Sequence, residues 1–287
     1  MNAERRIVGI ESGRTFIRGR LIQQGNNGQV FNAHEGSQPF ALKVPIWEPE
    51  GLKASRLRDE GALQSTFNHP HITRVELTDE MFEGTRGEFV PFLVTPLAET
   101  DLRRTLGRGR LRTDDALRIG MHTADALAAV HERGLVFIDI IPANVLIPQK
   151  KPGEMTALLN DFGAVREQNT LALTASDRRR IDVPESEGGH YFFVSDQYKW
   201  AINIALPALT HIPAHQVHLH GYPIPVATLV PPEQRSASTD AMAEVIVRAS
   251  SRNHLDRYPS MAELHDDLST KIAHAAEQEA KERRSFP

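Results

Sequence analysis

Four short stretches of this chain carry residue types that handle phosphate and a hard cation. Gly25, Asn26, Asn27 and Gly28 stand between two strand-like runs, with Val30 just beyond. Glycines at this spacing let backbone N–H groups approach phosphate oxygens with no Cβ in the way; a plain hairpin turn accounts for the same residues. Lys43 lies inside the apolar run Ala41-Leu42-Lys43-Val44. An interior ammonium is costly unless an anion meets it, and Glu60 in the next stretch is the natural partner; a surface lysine is the competing reading. Asp139 and Asn144, five residues apart, and Asp161, opening a turn that Gly163 allows, add three oxygen-bearing side chains. Such a set suits Mg²⁺, which takes oxygen ligands and keeps substrate phosphates in its shell.

The elements that must position these groups change character along the chain. Up to about residue 95 the apolar runs are short, as in Thr15–Leu21, Gly28–Ala33 and Phe40–Val44, and are broken by Gly, Asn and Pro. That pattern predicts an antiparallel sheet. One helix interrupts it over Ala54–Phe67, with Leu57, Leu63 and Phe67 on one side and Asn68-His69-Pro70 as its stop. Beyond residue 98 the pattern is helical. Thr113–Glu132 starts with Thr113 as N-cap, carries Leu117, Met121, Leu127 and Val130 as its stripe, and stops at Gly134. Further helices are predicted at Ser195–Leu209, Ser238–Ser250 and from Ser260 onward. The charged stretch Lys271–Arg284 reads as a solvated or frayed terminus, and His211–Pro232 as a long surface connection. A sheet-rich part followed by a helical part predicts an α+β chain in two lobes, residues 1–97 and 98–287.

Composition narrows the function classes. The chain has 287 residues, 40% hydrophobic and 24% charged, which is ordinary for a globular protein and excludes collagenous or fully disordered character. Its net charge of −4 is no footprint for nucleic acid. With no cysteine, disulfides, thiolate catalysis and Cys-zinc sites are excluded. No run of 18 apolar residues occurs, and Met1–Gly9 lacks an apolar signal core. The expectation is a cytoplasmic protein without membrane insertion. His211, His215, His218 and His220 have spacings that fit no recognised ligand pattern, so a polar loop is preferred to a metal site. Arg103, Arg104, Arg108, Arg110 and Arg112 read as a solvated basic face rather than an acidic-partner site.

Taken in order, these residues resemble the protein kinase family, specifically the eukaryotic-like Ser/Thr kinases of bacteria, over about residues 14–270. The resemblance implies a bilobal protein-kinase-like fold, a sheet lobe with one helix and a mainly helical lobe, with ATP and Mg²⁺ in the cleft. It makes Gly25, Gly28 and Val30 the glycine-rich loop, with Gln23 in place of its first glycine. Lys43 becomes the lysine on the α/β-phosphates and Glu60 its helix partner. Phe92-Leu93-Val94-Thr95-Pro96-Leu97-Ala98 resembles the strand and hinge at the adenine. Thr95 is then the gatekeeper, with the Pro96 carbonyl and Ala98 amide facing the base. Asp139 corresponds to the catalytic aspartate, Asn144 and Asp161 to the Mg²⁺ ligands. Val183-Pro184-Glu185, Ser195-Asp196-Gln197-Tyr198 and Asp256-Arg257-Tyr258 resemble later family segments. They imply a buried Glu185–Arg257 pair and an Asp196 that accepts hydrogen bonds from the catalytic-loop backbone.

The chain departs from the family in its catalytic loop. Phe137 and Ile138 stand where the family has His-Arg, and Ile141 where its Ser/Thr kinases have a phosphate-neutralising lysine. Without that arginine, a phosphate on Thr170, Thr174 or Ser176 loses its usual receptor, so activation without loop phosphorylation is expected; Arg178–Arg180 read as an exposed run. Two functions fit. One is a protein Ser/Thr kinase of reduced or atypical activity, which the presence of Lys43, Glu60, Asp139, Asn144 and Asp161 supports. The other is a pseudokinase, a nucleotide-binding scaffold that regulates a partner protein, which Gln23, Phe137, Ile138 and Ile141 support. Small-molecule kinases of the same architecture generally lack the Val183-Pro184-Glu185 segment and its arginine.

Overall fold

Alternation of apolar and polar residues builds the first unit. The computed structural model describes residues 5–26, 28–149, 151–168, 183–185, 191–213, 215–216 and 225–285, and the chain divides into two compact units. Unit one is Met1–Ala98 together with Asn160–Gly163; unit two is Glu99–Leu159 and Ala164–Pro287. The first holds β1 (Arg5–Val8), β2 (Thr15–Gln24), β3 (Gly28–Glu35), β4 (Gln38–Pro45), α1 (Leu52–Ser65), β5 (Leu77–Glu83) and β6 (Glu88–Pro96). Its strands form one antiparallel sheet in the order β1-β2-β3-β4-β6-β5.

Register decides which side chains share a face. Phe31 pairs with Leu42 and Leu42 with Val94, so these residues join Phe16, Phe40, Val44 and Phe92 in the apolar cluster on one face. Val30 pairs with Lys43, Lys43 with Leu93 and Ala41 with Thr95, which puts these five residues on the other face. Helix α1 packs there, against β4, β5 and β6. Gly61 makes the approach possible, since a Cβ at that position would lie 2.5 Å from the Thr78 hydroxyl and 3.4 Å from Leu93. The helix begins two residues earlier than the spacing predicts and ends at Ser65. Phe67 lies beyond it, buried against Phe162 with ring centroids 5.2 Å apart. Trp47 is half exposed, with the Arg86 guanidinium over its ring.

The second unit contains β7 (Thr100–Asp101), α2 (Leu102–Leu106), α3 (Thr113–His131), β8 (Leu135–Val136), β9 (Val145–Ile147), β10 (Leu158–Leu159) and β11 (Arg166–Glu167). The helices α4 (Phe193–Lys199), α5 (Leu206–Thr210), α6 (Val226–Leu229), α7 (Ala237–Ala249) and α8 (Met261–Ser285) follow. A π-helical stretch, Trp200–Ala205, joins α4 to α5. Trp200 is fully buried, and its indole N–H reaches the Gly120 carbonyl at 3.2 Å and the Thr123 hydroxyl at 3.0 Å. A Cβ at Gly120 would lie 2.5 Å from the Met242 methyl, so a larger residue here displaces the flexible end of Met242.

Three expectations need correction. Arg112, not Thr113, is the N-cap of α3, and it makes no side-chain cap bond; Thr113 is already helical. The charged terminus is solvated over most of its length, as expected, but it is not frayed: α8 continues through it, and Glu279 accepts hydrogen bonds from the N–H and hydroxyl of Ser238 at the start of α7. The connection after His211 ends in α6, with Val226 and Val230 both 1% exposed, so its last part belongs to the core. His218 and His220, and Thr170, Thr174, Ser176 and Arg178–Arg180, lie outside the described residues. In the basic cluster, Arg104, Arg110 and Arg112 pair with Asp101, Glu233 and Asp114.

Candidate active site

In the first unit a lysine and two carboxylates converge. Lys43 on β4 faces α1, and its ammonium donates to both Glu60 oxygens, at 2.6 and 2.8 Å. The same ammonium donates to Asp161 Oδ1 at 3.0 Å. Pairing with Glu60 answers the need of an interior lysine; the bond to Asp161 is a contact the sequence reading assigned only to metal binding. Asp161 adopts φ 68°, a left-handed conformation that Asp tolerates better than most residues. Gly163 lets the turn close, since a Cβ there would lie 3.1 Å from Glu60 Oε2 and 3.3 Å from Asp161 Oδ1. Behind them Gln64 donates to the Thr73 carbonyl at 2.8 Å and to Asn160 Oδ1 at 3.4 Å.

The electrostatics of this triad follow from one cation shared by two anions. Burial opposes the charge on Lys43, but Asp161 and Glu60 outweigh it and raise its pKa. Burial also disfavours charge on Asp161, yet Lys43 holds its carboxyl below the usual range. Glu60 is pushed up to about 7 by burial and by the charge of Asp161, against the pull of Lys43. The Asp161 carboxylate, kept ionised beside Lys43, is an oxygen donor of the kind that would suit Mg²⁺.

Around the triad, Gly25 and Gly28 close the β2–β3 connection, with the Gly25 N–H on the Gly28 carbonyl at 2.9 Å. The hairpin reading of these residues is therefore correct in geometry. Gly28 admits its neighbours: a Cβ there would lie 2.9 Å from the Val44 carbonyl and 3.5 Å from Lys43 Cε. Val30 and Thr95 share the Lys43 face, Thr95 being buried. Pro96 ends β6 and is exposed; Ala98 follows it, half-buried.

In the second unit Asp139 and Asn144 meet on the loop between β8 and β9. A single 3₁₀ turn, Pro142–Asn144, folds the loop back, and the Asn144 amide donates to the Asp139 carbonyl at 2.9 Å and to Asp139 Oδ2 at 3.2 Å. With its N–H groups committed there, Asn144 keeps its side-chain oxygen as the atom an ion can use. Asp196 of α4 holds the approach to this loop. It accepts the N–H groups of Phe137 at 2.7 Å and Ile138 at 3.0 Å, as the resemblance implied. His131 Nε2 and the Tyr191 hydroxyl complete its shell, both at 2.8 Å. Burial first, and then Asp196, raises the Tyr191 pKa, so the phenol stays protonated as a donor. Phe137 and Ile138 are both buried, an environment that suits them.

Two polar contacts on this loop escaped the sequence reading. Lys199 donates from α4 to the Ile138 carbonyl at 2.9 Å, and Asn203 to the Ile140 carbonyl at 2.9 Å. The available signal was a lysine and an asparagine inside Tyr198-Lys199-Trp200-Ala201-Ile202-Asn203-Ile204, an otherwise apolar run.

Comparison with known proteins agrees with this architecture. The family described as protein kinase domain matches residues 16–178, more than half of the 287. The chain belongs to the protein kinase family. The serine/threonine-protein kinase PkaB of Streptomyces coelicolor is 30% identical over 174 residues, 58% of this chain and 40% of the relative. The probable serine/threonine-protein kinase PknB of Lactococcus lactis is 23% identical over 285 residues, 92% of this chain and 44% of the relative. The chain thus spans less than half the length of either. The solved PknI kinase domain of Mycobacterium tuberculosis superposes with a TM-score of 0.57 at 24% identity, covering 89% of this chain and 96% of that one, which establishes the fold. Among the described residues no helix is long and apolar enough to cross a membrane.

Proposed function

We propose that this chain transfers the γ-phosphoryl group of ATP to a serine or threonine hydroxyl of a protein substrate in the cytoplasm. The observation that carries the reading is Lys43 held by both oxygens of the buried Glu60 and by the partly exposed Asp161, an arrangement that suits anionic phosphate and a cation.

The roles follow from the residues. Lys43, oriented by Glu60, binds the α/β-phosphates, and the Gly25–Gly28 connection with Val30 lies over the nucleotide. Thr95, Pro96 and Ala98 receive the adenine. Asp161 and Asn144 would each offer an oxygen to Mg²⁺, which would neutralise charge on the phosphate oxygens. Asp139 accepts the hydrogen bond of the substrate hydroxyl and takes its proton. As it does so, the hydroxyl oxygen bonds to the γ-phosphorus, the bond from that phosphorus to the bridging oxygen breaks, and ADP leaves. Ile141 supplies no charge to the transferring group, so the rate is low for the family; one missing electrostatic contact costs about 10²–10³.

Gln23, Phe137, Ile138 and Ile141 favour a second reading, a nucleotide-binding scaffold that regulates a partner protein. Incubation with Mg-ATP carrying a labelled γ-phosphate and casein as acceptor separates the two. Transfer to Ser or Thr that Lys43→Met lowers by about 10²–10³ supports the kinase. A nucleotide-dependent rise in melting temperature without any transfer supports the scaffold.

A further inference from the structure

We infer that Lys199 and Asn203 are positioning residues for Asp139, holding from a neighbouring helix a loop that carries no cation of its own. This rests on Asp139 being the group that takes the hydroxyl proton. Asp196, Lys199 and Asn203 follow one another at spacings of three and four, which keeps them on one side of their helix. All three engage the same four-residue stretch. Asp196 takes the N–H groups of Phe137 and Ile138, Lys199 gives a hydrogen bond to the Ile138 carbonyl, and Asn203 gives one to the Ile140 carbonyl. Asp139 therefore has a pinned carbonyl on the residue before it and another on the residue after it.

The stretch needs holding. Ile138 sits at φ 69°, a left-handed conformation that a β-branched residue enters only when its surroundings impose it. Its N–H and its carbonyl are both bonded to α4, so the peptide leading into Asp139 has one orientation. The hold is also expensive. Lys199 is 4% exposed, and its ammonium lies 5.9 Å from the Tyr191 ring centre. An apolar residue would fill that helix position without desolvating a charge. A π-helical stretch begins at the next residue and contains Asn203, and such stretches concentrate where a helix serves a site.

The test uses the full chain and two variants, Lys199→Met and Asn203→Ala, read in two ways. In the transfer assay, Lys199→Met is expected to lower kcat roughly a hundred-fold, the cost of a catalytic group displaced by about 1 Å, while KM for ATP stays near wild type. Amide hydrogen exchange at residues 139–141 is expected to quicken in both variants, with exchange along α3 unchanged. Unchanged exchange at 139–141 overturns the proposal, as does a loss carried by KM with kcat intact. A wild-type chain that transfers no phosphate sinks the proposed function, and the exchange result then judges the clamp alone. Should Lys199→Met fail to fold, Asn203→Ala carries the same readings from a partly buried position.

Discussion

Replacing Asp139 with asparagine is expected to lower phosphoryl transfer by about 10²–10⁴, the range for removing a general base, with nucleotide binding retained. The side chain is the only thing the substitution changes at this position. The Asn144 amide bonds chiefly to the main-chain carbonyl of residue 139, at 2.9 Å, and that bond persists whatever the side chain. The carbonyls on either side remain tied to Lys199 and Asn203. Loop geometry is therefore preserved, and so is the Lys43–Glu60–Asp161 triad, which belongs to the other unit. What disappears is the carboxylate proposed to accept the hydroxyl proton. The checks are initial rates with labelled ATP and the melting shift on adding Mg-ATP. Transfer near the wild-type rate would remove Asp139 from the role of base.

Much of this arrangement was legible from residue types, and the reasons differ by element. The sheet could be read because its apolar runs are short and punctuated, and the face of Lys43 follows once strands pair in antiparallel register. Glu60 could be named in advance because an interior ammonium must find an anion. Asp161 as a second partner of Lys43 could not, because it arrives from more than a hundred residues away and no local pattern announces it. The N-terminus of α3 shows the limit of local rules: Thr113 has the chemistry of a cap, yet the chain turns one residue earlier. Lys199 and Asn203 went unread for another reason. Apolar periodicity counts polar residues as solvent-facing, and these two face carbonyls within the core. Likewise the charged last helix reads as frayed until Glu279 is seen to cap α7.

The pair Glu185–Arg257 gives the largest expected effect on folding. Arg257 has a side chain with no exposed surface, and its guanidinium forms two parallel bonds to Glu185, at 2.8 and 2.9 Å. Two further donors go to the Ser251 carbonyl at 2.8 Å and the Val194 carbonyl at 2.7 Å, and Tyr198 lies under it at 5.0 Å. Arg257→Ala leaves the Glu185 side chain buried without its cation, with the Ser195 hydroxyl as the side-chain donor that remains among the described residues. A stranded interior charge of this kind costs about 3–5 kcal/mol, readable as a shift of the urea midpoint at constant slope. Lysine is a poor substitute, since a point ammonium cannot form the two-pronged contact. The effect should depend on pH with a definite sign. Burial works against the Glu185 charge, but Arg257 and Ser195 hold its pKa below the ordinary 4.5. A carboxyl lowered on folding contributes stability above its unfolded pKa and gives it up as pH falls through the folded value. In Arg257→Ala the same carboxyl gains by protonation, so the gap between wild type and variant narrows on acidification from neutral pH to about pH 4. A gap that stayed constant across that range would assign the loss to the three carbonyl and ring contacts of Arg257 instead of to the ion pair.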